Sequence, residues 1–214
     1  MIGQDLLRFN NDLKLVVCDM ETEGLHLGRS RPWQVAMLVF HGKQLVEEID
    51  MYPWWPDLNI SPGAAIVTRF KWDVYKSKAT DPKKCREKYL SYRDNKDYRI
   101  IYHNGLGYDS MIDAVWAREI GEKPNYDWLD RLIDTNCVSK AMKKGMKPDN
   151  SSLLNFLQWQ FKIGGLREKG LKSNLTTMGK EFKIEFDYAM LHDGLNDIKL
   201  NKLVLDKLIW TVDI

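Results

Sequence analysis

Three acids crowd into CDMETEGL, residues 18–25, where a strongly apolar run, LKLVVCDM, gives out. Charges are seldom fully buried unless they are paired or bind metal, which raises the question of what cation these carboxylates serve. If the run is a strand, its side chains alternate, so Asp19 and Glu21 point to one side while Cys18 and Met20 point to the other. Two carboxylates on one face repel each other, and divalent cations that favour oxygen ligands, Mg²⁺ or Mn²⁺, are the simplest means of holding them together. A lone DxE at a strand end is more commonly a solvated pair than a site. Company is what strengthens it: IIYHNGLGYD puts Asp109 just past a second apolar strand, and LHDGLND supplies His192, Asp193 and Asp197 near the end of the chain. Five residues turn a helix by roughly 140°, so His192 reaches the side of Asp197 only from the preceding loop or first turn. Asp193 and Asp197, at i and i+4, do share a face, and spacing alone makes Asp193 the better partner; the residues themselves leave that choice open.

The elements that must position these groups are legible in outline. LKLVVCDME reads as a strand, and QVAMLVF, HG and KQLVEEID read as a hairpin that continues the same sheet. Residues 51–80, with Pro53, Trp54, Trp55, Pro56, Pro62 and Gly63, read as a long irregular surface segment with room for one helical turn. Thr80, Asp81 and Pro82 start a helix through KKCREKYLSYR, which precedes a fourth strand, YRIIYH. GYDSMIDAVWARE is helical in spacing, RLIDT supplies a short fifth strand, and CVSKAMKKG is a helix. Beyond it Ser151, Ser173 and Asp187 are helix-start candidates, and the basic, Gly-containing KIGGLREKGLKS is a mobile loop. A last helix puts Leu195, Ile198, Leu203, Leu205 and Leu208 against the sheet.

With 214 residues the chain suits one sizeable domain, able to bury a core without disulfides. A net charge of +2 does not announce a nucleic-acid binder, although local basic clusters could form a patch. Cys18, Cys85 and Cys137 are odd in number and lack CxxC spacing, which argues against a disulfide framework and a zinc site. No basic-then-apolar leader and no run of membrane-spanning length is present, so the expectation is a cytoplasmic protein without membrane contact. Neither GxGxxG nor GxxxxGK[ST] occurs, which sets nucleotide-driven motors aside.

DxETxGL, then HN followed by an aromatic-Asp pair, then Asp-Thr, then HDxLxD, in this order over roughly residues 13–210, resembles the DEDDh 3′–5′ exonucleases, the superfamily of the bacterial proofreading subunit. The resemblance implies an α/β, ribonuclease-H-like mixed sheet of five strands, three antiparallel and then two parallel, flanked by helices. It implies a single exonuclease domain over 1–214 with a family-variable insertion around 140–172. It also implies hydrolysis of phosphodiester bonds with two divalent cations, Mg²⁺ or Mn²⁺. Asp19 would bridge both ions, Glu21 and Asp197 would hold the one beside the attacking water, and Asp109 would bind the other. His192 would be the general base, a role suited to an imidazole near physiological pH. Thr22, Gly24 and Leu25 look like the segment that contacts the 3′-terminal nucleotide, with a purely structural turn as the alternative, and Asn104 is a candidate to hydrogen-bond substrate or to cap its own turn. Three residues separate Asn104 from Tyr108, one more than is usual in the family.

The expected substrate is single-stranded DNA or frayed 3′ ends, releasing nucleoside 5′-monophosphates. RNA or short oligoribonucleotides are the alternative, and a binding module without catalysis is the third reading, disfavoured because a binder needs no cluster of repelling acids. Oligomeric state stays open. Glu23 reads as a solvated bystander, and Asp134 as an anchor between strand and helix. His26 and His41 read as surface histidines, and His103 as a strand-end residue. Trp33, Trp54 and Trp55 invite base stacking, though PWWP reads at least in part as loop packing. Lys143, Lys144, Lys169 and Lys172 could track phosphates.

Overall fold

The structure, a computed structural model, describes residues 6–214. Strands β1 (Lys14–Thr22), β2 (Pro32–His41) and β3 (Gln44–Met51) form an antiparallel meander. β4 (Tyr98–Tyr102) runs parallel to β1, and β5 (Leu132–Asp134) runs parallel to β4. The five-stranded order is β3-β2-β1-β4-β5, which places the acid-bearing β1 at the centre. This is the α/β, ribonuclease-H-like mixed sheet expected above. Both faces of the central strands are covered, and β1 and β2 are correspondingly near-continuous apolar runs rather than alternating ones.

Eight α-helices flank the sheet among the described residues. Helix α3 (Pro82–Arg93) starts where expected, with Asp81 accepting from the Lys83 N–H and Pro82 in the first turn. Helices α4 (Asp109–Glu119), α5 (Thr135–Lys144), α6 (Leu153–Gly164), α7 (Leu175–Glu181) and α8 (Gly194–Thr211) follow. Two caps lie one residue beyond the expected starts: Ser152, not Ser151, caps α6, and Asn174, not Ser173, caps α7. The hydroxyls of Ser151 and Ser173 donate instead to the side chains of Asp149 and Asn136. On α8, Ile198, Leu200, Val204, Leu205 and Leu208 are buried, whereas Leu203 is exposed, because the helix turns that position outward.

The segment 51–80 departs from the sequence reading. It folds into two helices, α1 (Pro62–Thr68) and α2 (Trp72–Lys78). Ser61 accepts from the Ala64 N–H and Pro62 presets the first turn, so Pro62, read as loop punctuation, is in fact part of a helix start. Trp55 is buried, its Nε1–H donating to the Pro32 carbonyl at 2.7 Å, and Trp33 is buried beside Phe70. Trp54 keeps an exposed edge but stacks on Tyr75. Trp33 and Trp55 fasten the segment to the sheet, and Trp54 packs within the segment. No described helix is long and apolar enough to cross a membrane.

Candidate active site

The site forms where β1 and β4 end side by side. Asp19 pairs in register with Ala36 of β2, and Glu21 with Gln34. Gly194, at the start of α8, lies against those two partners: a Cβ there would sit 3.0 Å from Ala36 Cβ and 3.5 Å from Gln34 Cδ. The missing side chain lets α8 come down on the Asp19 side of the sheet, which delivers Asp197, in its first turn, to the strand acids. Carboxylate oxygens of Asp19, Glu21 and Asp197 lie within 4.8 Å of one another.

Capping separates Asp193 from Asp197. Asp193 is the N-cap of α8 and accepts from the backbone N–H and side-chain amide of Asn196. Its carboxylate thus serves the helix end, while that of Asp197 faces the cluster. His192 lies in the loop immediately before the helix, exposed and with φ 68°, and its backbone N–H donates to Asp197 Oδ1 at 3.1 Å. A left-handed backbone is uncommon for histidine and marks a constrained position. Base candidate and acid are therefore tied to one another through the backbone.

Asp109 comes from the other direction, as the first residue of α4 after the loop that leaves β4. Asp134 shapes that loop: it is buried, caps α5, and accepts from the Asn104 and Leu106 N–H groups at 2.9 and 3.1 Å. It is an anchor, as its sequence context suggests. Asp109 is buried and its Oδ1 has no hydrogen-bond partner among the described residues, the kind of orphaned oxygen that calls for a ligand.

The electrostatics agree with this geometry. Burial, with Asp197 and Asp109 close by, pushes Glu21 up to about 8. Asp109 is pushed to about 8 and Asp197 to about 6, in both chiefly by burial. Asp19 is driven well above the carboxylate range by burial and then by Glu21, Asp109 and Asp197. None of the four forms an ion pair among the described residues. A hard all-oxygen donor set, mutual repulsion and an orphaned carboxylate oxygen fit divalent cations.

Beside the acids opens a largely apolar cavity of about 370 Å³, lined by Met20, Glu21, Thr22, Gly24, Leu25, Ser61, Gly63, Ala64, Val67, Thr68 and Tyr108. Thr22, Gly24 and Leu25 thus line one cavity. Leu25 is 88% exposed and Ile66, on α1, 79% exposed, an unusual placement for large apolar side chains beside a polar site. Tyr108, absent from the sequence-based set, fastens this loop: its hydroxyl lies 2.5 Å from Thr22 Oγ1 and donates to the Gly24 carbonyl at 2.7 Å. The α1 wall was also missed, though the Ser-Pro start at residues 61 and 62 was the available signal. Asn104 is exposed on the loop with φ 72°.

Glu23 requires a correction. It is buried, not solvated, and its carboxylate takes Arg31 Nη2 at 2.7 Å and Arg31 Nε at 3.1 Å. His103 is likewise structural: burial pushes it down to about 3, and it bonds Thr135 and Asn136. Two of the candidate phosphate-tracking lysines are already engaged, Lys143 with Glu181 at 2.8 Å and Lys144 with Glu168 at 2.7 Å.

No family model matches the chain, and no curated protein does. Solved structures do match. E. coli exonuclease I in complex with a dT13 oligonucleotide superposes with a TM-score of 0.71 at 17% identity, over 93% of this chain and 41% of that one. The fold is shared with exonuclease I. Product-bound exonuclease I gives a TM-score of 0.69 at 18% identity, over 94% and 44% of the two chains. The zinc-bound exonuclease I complex with single-stranded DNA gives 0.69 at 17% identity, over 91% and 40%. The present chain thus spans about two fifths of the exonuclease I chains it resembles.

Proposed function

We propose that the chain is a metal-dependent 3′–5′ exonuclease domain of the DEDDh type, acting on single-stranded DNA and releasing nucleoside 5′-monophosphates. The observation that carries the reading is the convergence of Asp19, Glu21 and Asp197 within 4.8 Å, next to His192 and to an apolar cavity. The shared fold with exonuclease I, solved with a dT13 oligonucleotide, favours DNA over RNA.

Asp19, Glu21, Asp109 and Asp197 are the groups that would hold two Mg²⁺ or Mn²⁺ ions. Bound there, the ions would supply an activated water and neutralise charge at the scissile phosphodiester. The chain's own residues do the rest. His192, exposed at the rim, takes the proton from the attacking water, and its backbone tie to Asp197 keeps the imidazole beside the acids. The cavity receives the terminal nucleotide between Leu25 on one side and Ala64 and Val67 on the other. A base inserted between apolar walls must leave its stack and its pair, at least cost from a single strand. Glu21 lines both cluster and cavity, so a nucleotide seated there presents its phosphate to the acids.

The test is paired substitution. Asp19→Ala should abolish metal-dependent nucleotide release, and His192→Ala should lower kcat by roughly 10²- to 10⁴-fold, the usual worth of a general base. Ordinary turnover in either variant would overturn the assignment.

A further inference from the structure

We propose that the buried Glu23–Arg31 pair is a positioning device for the terminal-nucleotide cavity, holding its two walls at a fixed separation; the inference rests on reading that cavity as the nucleotide site. Glu23 follows the acid cluster by only two residues, yet its carboxylate takes no part in it. All of its bonding is directed into the substrate side of the molecule. Oε2 accepts the Arg31 backbone N–H at 2.9 Å and Arg31 Nε at 3.1 Å. Oε1 accepts Arg31 Nη2 at 2.7 Å and the Asn59 backbone N–H at 2.9 Å. Both side chains are only 11% exposed, so these charge-assisted bonds are little weakened by solvent.

The connections reach both walls. On the near side, the backbone N–H of Glu23 donates to the Arg31 carbonyl at 3.1 Å, closing the loop whose first residues are Gly24 and Leu25. On the far side, the Glu23 carbonyl accepts the Ser61 N–H at 2.7 Å, and Ser61 is the cap of α1, which carries Ala64 and Val67. A Cβ on Gly24 would stand 3.2 Å from Ser61 Oγ, so the two walls are already in close apposition. Arg31 holds the intervening chain: Nη1 donates to Asp57 Oδ1 at 2.6 Å, Nη2 donates to the Asp57 carbonyl at 3.0 Å, and the guanidinium lies over the Trp55 ring at 5.2 Å. The ion pair thus joins the end of β1, the exposed-leucine loop and the PWWP segment up to Asn59, and the Glu23 backbone carbonyl extends the link to the start of α1. None of its atoms lines the cavity, so its effect on a nucleotide is through the walls alone.

A residue of this kind governs binding more than chemistry, because its carboxylate bonds Arg31 and Asn59 rather than the metal-facing acids or His192. Wild type, Glu23→Gln and Arg31→Lys should be compared in three measurements: steady-state hydrolysis of a single-stranded oligonucleotide, calorimetric binding of deoxythymidine 5′-monophosphate with Mg²⁺ present, and calorimetric binding of Mg²⁺ itself. In both variants KM and the monophosphate Kd should rise about tenfold, the equivalent of about 1.4 kcal/mol, with kcat and Mg²⁺ affinity within about threefold of wild type. Asp57→Asn, which alters an anchor whose side chain is 77% exposed, covers the case in which the buried variants fail to fold; a KM increase of about threefold is expected. Unchanged KM and Kd in folded variants, or a fall in kcat at unchanged KM, would overturn the proposal. Wild type that binds the monophosphate but hydrolyses no oligonucleotide would overturn the functional reading instead, and the Kd comparison would still decide the role of the pair.

Discussion

Asp19, Glu21, Asp109 and Asp197 are held where burial and mutual repulsion oppose their ionisation. Their pH dependence follows directly. Below about pH 3 these acids are protonated whether the chain is folded or not, so they contribute nothing. Between there and their raised folded values, about 8 for Glu21 and Asp109 and about 6 for Asp197, the folded chain binds more protons than the unfolded one. Stability of the metal-free protein should therefore fall as pH rises from about 5 to 8. Thermal unfolding across that range should show a declining midpoint in EDTA and a larger rise on adding Mg²⁺ at pH 8 than at pH 5.5. A midpoint that climbs with pH in EDTA would contradict the electrostatic account. Residue identity exposed this cluster because strand alternation puts Asp19 and Glu21 on one face whatever else the chain does. It concealed Glu23, which differs from its neighbours only through Arg31 and Asn59, partners that the folding of the intervening loops brings within reach.

At the scale of elements, precision depends on where the backbone crosses closely. The loop from β4 to α4 turns at Gly105, where a Cβ would lie 2.4 Å from Tyr102 Cβ, a separation that backbone must move to relieve. Gly105→Ala should cost about 1–3 kcal/mol of stability. By displacing the segment that ends in Asp109, it should also lower activity by roughly 10²-fold in protein that remains folded. Chemical denaturation and a rate assay on the same sample would separate the two effects, and full activity would show that Asp109 tolerates displacement. The strands were legible because β1, β2 and β4 are apolar runs bounded by turn residues. Helices α1 and α2 were not, since each spans only seven residues in a stretch rich in Pro and Trp, and their stability comes from a cap and from aromatic contacts such as Phe70 on Trp33. The roles of Asp193 and Asp197 follow equally from context: the same residue type caps a helix at one position and joins the cluster four residues on.

Across the whole molecule, the proposed nucleic-acid substrate meets a net charge of only +2 and an acidic centre, so on that reading local basic groups offset the repulsion. The stretch between α6 and α7 can supply them. It is anchored by Ser173 to Asn136, which in turn bonds His103 beside the Asn104 loop. Lys143 and Lys144 are paired with acids, so reversing the charge of Lys143, Lys144, Lys169 and Lys172 together should flatten the salt dependence of single-strand binding by fewer than four contacts' worth, at about 0.7 in log–log slope per phosphate. An unchanged slope would return all four to the solvated surface. The central claim, that four acids and a histidine at the end of β1 remove nucleotides from a 3′ terminus, is tested most directly by end-labelled oligonucleotides. Matched 3′- and 5′-labelled single-stranded DNA and RNA should be incubated with Mg²⁺, Mn²⁺ or EDTA. Labelled mononucleotide should be released at once from 3′-labelled DNA, and a descending ladder should form from 5′-labelled DNA, with either metal and not in EDTA. Release of mononucleotide first from the 5′ label, or no cleavage with either metal, would contradict it.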